Sequence, residues 1–262
     1  MDKKVKSRSI PLQDIRYFEC EGLVDDGSNH EYTGKLFHVP KQAWARGNRL
    51  ATLCQRANVS IAKKSLYLCF TPALSDGVVC PTEFRGEVWQ RYVMYGLPLS
   101  FNQCNEETRV RRVWSATLES LRTIAPFEQI EAIEKEANIV ELGGENLQFS
   151  LTSAKTKKYL AELSYTIPTW PGLACLLLTL TDGSSLIRHT CVLFESKVST
   201  ECSFLGGKVK IVDGNVIVRP HVSSWGTYFA KRNNVSSFVI DIQSLLQGDA
   251  SIVKNPYETF DT

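Results

Sequence analysis

The side chains able to carry chemistry in this sequence are few and scattered. His30, His38, His189 and His221 are the only imidazoles, so a Ser–His or Cys–His nucleophile pair must use one of them. His221 is the best placed. It follows Pro220 at the end of an expected strand and precedes Ser223-Ser224-Trp225-Gly226, and strand ends and loops often carry catalytic groups. An enzyme whose site assembles from dispersed residues near His221 is therefore one reading. A strand-terminating histidine that hydrogen-bonds a loop is the simpler one. His189-x-Cys191 places two metal donors on one face of a strand, with Cys202 farther along. No second chelating pair and no Cys-x-x-Cys accompanies them, so no metal site is expected.

The signatures of familiar catalysts are missing. There is no Gly-x-Ser-x-Gly elbow, no His-Glu-x-x-His and no Gly-x-x-x-x-Gly-Lys-Ser/Thr loop. Leu205-Gly206-Gly207-Lys208 has Val209 where a phosphate loop needs a hydroxyl to hold its metal, and it leads into a strand. No cofactor is expected, and the balance leans away from an enzyme.

Charge is more informative. The net charge is only +2, too mild to demand a polyanionic partner. Between Tyr32 and Ser75, however, there is no Asp or Glu, while Lys35, Lys41, Arg46, Arg49, Arg56, Lys63 and Lys64 all fall there, with His38, Trp44 and Tyr67 among them. Cations interleaved with aromatics suit phosphate backbones and stacked bases. Arg49 to Ser60 resembles the first helix and turn of a helix-turn-helix, with Asn58 at the left-handed turn position. Lys64 then falls where the second helix needs an apolar residue, and Leu66–Phe70 reads better as a strand. The alternative is a basic face that meets an acidic surface, on a partner protein or on the Glu128–Glu136 segment. The candidate partner-binding residues are Lys41, Trp44, Arg46, Arg49, Arg56, Lys63 and Lys64, joined by Arg109 and Arg112 from a neighbouring helix.

The elements that must position these residues follow two periodicities. Between about residues 40 and 137 the helical period dominates. Val110, Val113, Trp114, Thr117, Leu118 and Leu121 form one apolar stripe on a helix from Glu106 to Thr123, with Asn105 at the N-cap and Glu106 and Glu107 in its first turn. A helix from Glu83 to Tyr95 would set Phe84, Val88, Tyr92 and Tyr95 on one face, with Gly96 as a left-handed stop. A third helix begins after Pro126, and a weaker one lies between Lys41 and Ala57, broken at Gly47-Asn48. Ile15–Cys20 and Leu66–Phe70 form a small sheet. From about Glu141 the period becomes two. Lys208–Val212, Asp213-Gly214 and Asn215–Val218 read as a type I′ hairpin. Asp182-Gly183 marks another, and about seven strands follow in all.

The expectation is an α+β chain. A helix-rich N-terminal half with a small sheet, residues 1–140, precedes an antiparallel β-rich half, residues 141–262, built as a sandwich or curved sheet. The boundary falls near 138–146. Several of the eight cysteines lie in apolar runs, as small buried thiols do. With no signal-peptide core, no apolar run long enough to span a membrane and no lipidation signal, a cytoplasmic location is expected. The function expected is non-catalytic macromolecule binding, foremost of a protein with an acidic surface, as an immunity or antitoxin-like neutraliser would do. Nucleic-acid binding through residues 35–64 is the alternative.

Overall fold

A strand covered on both faces reads as a continuous apolar run, and Leu66–Phe70 is one. In the computed structural model, which describes residues 10–83, 86–250 and 252–257, this run is the buried centre of a five-stranded sheet. Internal contacts divide the chain into two units, Met1–Gly144 and Glu145–Thr262.

In the first unit β1 (Asp14–Glu19), β2 (Glu31–Tyr32), β3 (Ser65–Thr71), β4 (Val79–Pro81) and β5 (Gln90–Gly96) lie in the order β2-β1-β3-β5-β4. β1, β3 and β5 are parallel, and β2 and β4 are antiparallel edges. Three helices accompany them: α1 (Lys41–Arg56), α2 (Glu106–Ile124) and α3 (Phe127–Gly143). One sheet face meets the helices. There the Tyr17 ring stacks on Phe70 and meets Trp44 of α1 edge-on at 5.1 Å, and the Tyr17 hydroxyl bonds Thr117 of α2 at 3.0 Å. The opposite face carries Phe18, Cys20, Tyr67, Cys69, Tyr92 and Met94 in a second cluster.

The first half thus combines three helices with a five-stranded mixed sheet, a larger sheet than the small one expected. The expected helix from Glu83 to Tyr95 does not form. Residues 90–96 are β5 instead, and Phe84 lies outside the described residues. Pairing with β3 decides this, since Tyr92 sits opposite Tyr67 and Tyr95 opposite Phe70. Tyr92 and Tyr95 consequently point to opposite faces, Tyr95 donating its hydroxyl to Glu119 of α2. Gly96 is no helix stop; a Cβ there would run into the Ser75 carbonyl. Nor is α1 broken at Gly47-Asn48. Its glycine lets the Tyr17 hydroxyl approach to where a Cβ would be 2.6 Å away. Asn58 does take the left-handed conformation, φ 55°, but the chain then runs into β3 and no second helix of a helix-turn-helix follows.

The second unit holds two antiparallel meanders, as its alternation predicts. β6 (Gln148–Lys155), β7 (Tyr159–Thr166), β8 (Ala174–Asp182) and β9 (Arg188–Ser196) form one sheet. β10 (Lys208–Val212), β11 (Asn215–Arg219), β12 (Ser237–Asp241) and β13 (Ile252–Asn255) form the other. β10 lies against β6 and β7, burying Phe149, Leu163, Val209 and Val218. The β10–β11 turn places Asp213 at φ 48° and Gly214 at φ 76°, the two positive values a type I′ turn requires. Three short helices, α4 (Ser199–Leu205), α5 (Ser224–Arg232) and α6 (Ile242–Leu246), lie between strands. Among the described residues no helix is long and apolar enough to cross a membrane.

Candidate functional site

The segment leading into α1 is held from both sides. From β1, the Glu19 carboxylate accepts the backbone N–H groups of Gly34, Lys35, Leu36 and Phe37 at 2.8–3.0 Å. Burial pushes this carboxyl up, but the four N–H donors together outweigh it and hold it below its ordinary range. From the α2 side, Asn102 accepts from the His38 N–H and donates to the Leu36 carbonyl, both at 2.8 Å. Arg109 Nη1 donates to the His38 carbonyl at 2.7 Å. α1 then starts behind Pro40 with no side-chain cap and no acid in its first turn, so the positive end of its dipole is left to other groups.

These constraints shape a hollow of about 650 Å³ lined by Tyr32, His38, Lys41, Trp44, Glu106 and Arg109, among others. Two cations, one acid (Glu106) and the uncapped start of α1 line it, and Trp44 and Tyr32 supply aromatic wall. Tyr32 is 54% exposed. Among the described residues no hydroxyl or thiol is hydrogen-bonded to the His38 ring; the hollow offers charge and aromatic surface.

Of the residues singled out by sequence, the structure brings together Lys41, Trp44 and Arg109. The others disperse. Arg49 is 1% exposed and belongs to the interior, so no partner can reach it. Arg112 is ion-paired with Asp76. Lys63 donates to the Val88 carbonyl at 2.7 Å, Arg46 is half-buried, and Arg56 and Lys64 are exposed elsewhere. Lys41 and Arg56 sit at opposite ends of a 16-residue helix, about 22 Å apart at 1.5 Å per residue. No single small group can touch both. α1 lies against α3, and the charged residues that these two helices bury are Arg49 and Glu136. Burial, then the charge of Glu136, pushes the Cys54 thiol up to about 12.

The other candidates do not assemble. His221 is exposed. Its backbone N–H donates to the Phe204 carbonyl at 2.7 Å and its ring meets Phe204 edge-on, but among the described residues the ring has no hydrogen-bond partner. His189, Cys191 and Cys202 form no cluster, and no three His, Cys, Asp or Glu side chains among the described residues are placed to hold a metal. Sequence reasoning missed Glu19 and Asn102. Glu19 left a trace, being a lone acid in the apolar run Tyr17-Phe18-Glu19-Cys20. Asn102 left none. No family model, no curated protein and no solved structure matches the chain.

Proposed function

We propose that the chain is a protein-binding protein and that the hollow at the start of α1 receives an acidic side chain of its partner. The observation that carries this is the convergence of Lys41 and Arg109 on the uncapped start of α1, beside Trp44 and Tyr32. A carboxylate entering there meets two cations and a helix dipole, while the flanking aromatics bury the rest of the contact. Trp, Tyr and Arg are the residue types that dominate interface energetics. A nucleic-acid backbone is served less well. It needs a track of available cations, and Arg49 and Arg112 are withdrawn from any such track, the first by burial and the second by its ion pair with Asp76.

The test is an array of synthetic peptides graded in Asp and Glu content, probed with the wild type and with Lys41→Glu. The wild type should retain acidic peptides at low salt and release them as salt rises, with at least about tenfold weaker retention by Lys41→Glu. Equal retention by both proteins overturns the reading, as does a preference for single-stranded DNA or RNA over acidic peptides.

A further inference from the structure

A second hollow, about 620 Å³, opens beside the C-terminal end of β1 and is lined by Glu19, Cys20, Ser28, Asn29 and Lys35, among others. Cys20 Sγ lies 3.2 Å from Cys69 Sγ on β3, with the Cys69 thiol donating to the Cys20 sulfur. We propose that Cys20 and Cys69 form an oxidisable dithiol, in which the Cys20 thiolate attacks a small hydroperoxide that enters from this hollow and Cys69 closes an intramolecular disulfide.

Three observations distinguish this pair from the other free thiols of the chain. The first is proximity. The partner sulfur that a sulfenic acid needs is already in contact, whereas a lone oxidised cysteine must wait for one. The second is asymmetric access. Cys20 lines the hollow and Cys69 does not, so the two thiols have different tasks. The third is the thiolate. The hydrogen bond from Cys69 lowers the Cys20 thiol against the effect of burial and raises that of Cys69. Burial shifts Cys54, Cys175, Cys191 and Cys202 upward. The thiolate is the nucleophile in such chemistry.

The register adds a mechanical detail. Cys69 pairs with Phe18, so Cys20 is reached diagonally, two residues farther along the same sheet face. β1 ends at Glu19, and the Cys20 N–H still donates to the Phe70 carbonyl of β3 at 3.0 Å, so the backbone holds the two thiols on adjacent strands. The chemistry balances. The Cys20 thiolate attacks one peroxide oxygen, the O–O bond breaks, and Cys20 becomes a sulfenic acid as hydroxide leaves. The Cys69 sulfur then attacks the sulfenic sulfur, the S–O bond breaks, and its proton leaves with that oxygen as water. Two thiols and one hydrogen peroxide give one disulfide and two waters.

The experiment treats the reduced, folded full chain with limiting hydrogen peroxide, alkylates the remaining thiols after unfolding, and maps the peptides without reduction. The expected product is a Cys20–Cys69 linked peptide, lighter than its two thiol peptides by two hydrogen atoms, formed before the other six cysteines react. In Cys69→Ser the sulfenic acid persists and dimedone labels Cys20. The proposal is overturned if Cys20 and Cys69 are both recovered alkylated while Cys80, Cys104, Cys175 or Cys191 is oxidised. It is also overturned if Cys20 links to Cys80, which packs against the same cluster. The wild-type map decides the matter even if Cys69→Ser fails to fold.

Discussion

Arg109 Nη1 lies 2.7 Å from the carbonyl oxygen of His38, which fixes the second turn of α2 to the segment that launches α1. The contact does two things. It aims a cation at the hollow, and it satisfies a loop carbonyl that neither a strand nor a helix would satisfy. Asn102 repeats the second task on the same loop with two hydrogen bonds of its own. The hollow is thus built on a loop with no regular structure, and its shape comes from side chains that act as backbone partners.

Replacing Asn102 with Ala removes both of its bonds while leaving every charge in place. The expected loss is about 1–2 kcal/mol, read as a lower urea midpoint at unchanged slope. Acidic-peptide retention should weaken in parallel as the loop loosens. Unchanged retention would show that the loop holds its shape without this clamp.

Glu19 makes the stability of this region pH-dependent with a definite sign. Burial raises its carboxyl and four N–H donors lower it further, so the folded value lies below the ordinary one near 4.5. Its contribution is fully present above the unfolded pKa and is lost as pH falls through the folded pKa. Unfolding midpoints measured from pH 7 down to pH 3 should fall in the wild type below about pH 4.5. They should fall less steeply in Glu19→Gln. Glu19→Ala leaves four loop N–H groups without their acceptor and should cost about 3 kcal/mol or more at neutral pH.

Arg112 is the control for Arg109. It stands one turn away on α2 and is committed to Asp76, with both side chains partly exposed. Arg112→Ala should cost less than about 1 kcal/mol and leave peptide retention at the wild-type level. A loss of retention equal to that of Lys41→Glu would move the binding surface along α2, away from the hollow.

Asn58 sits at φ 55° after α1, exposed to solvent. Glycine is at ease there and a β-branched residue is not. Asn58→Gly should leave stability within about 0.5 kcal/mol of wild type, whereas Asn58→Val should lower it by about 1–2 kcal/mol. Thermal melts of the two variants compare them directly.

What the sequence made legible was local. The Asp213-Gly214 turn, the Asn105 cap that accepts the Thr108 N–H and the apolar stripe of α2 each depend on residues a few positions apart. The failures share a cause as well. Val88, Tyr92 and Tyr95 have helical spacing, but Tyr92 and Tyr95 are held in a strand by Tyr67 and Phe70, which lie far away in sequence. Arg49 reads as a surface cation because nothing in α1 itself shows that the fold buries that position. The acid-free stretch is real as composition, yet it is a series of separate sites in space. Of its seven cations Lys41 lines the hollow, beside His38 and Trp44, and there it meets an arginine from outside the stretch.

The two units also differ in how far each strand must search for its partner. In the second unit every pair joins strands adjacent in sequence, β6 to β9 and β10 to β13. In the first, β1 waits for β3, with Asp14 opposite Ser65. Closing that loop carries an entropic cost before any pairing rewards it, and such topologies fold slowly. During synthesis, which proceeds from the N-terminus, the apolar Tyr17-Phe18 run lacks its parallel neighbour until residue 71 has emerged. β1 therefore emerges before the strand that pairs with it in parallel, and its exposed interval ends when β3 arrives.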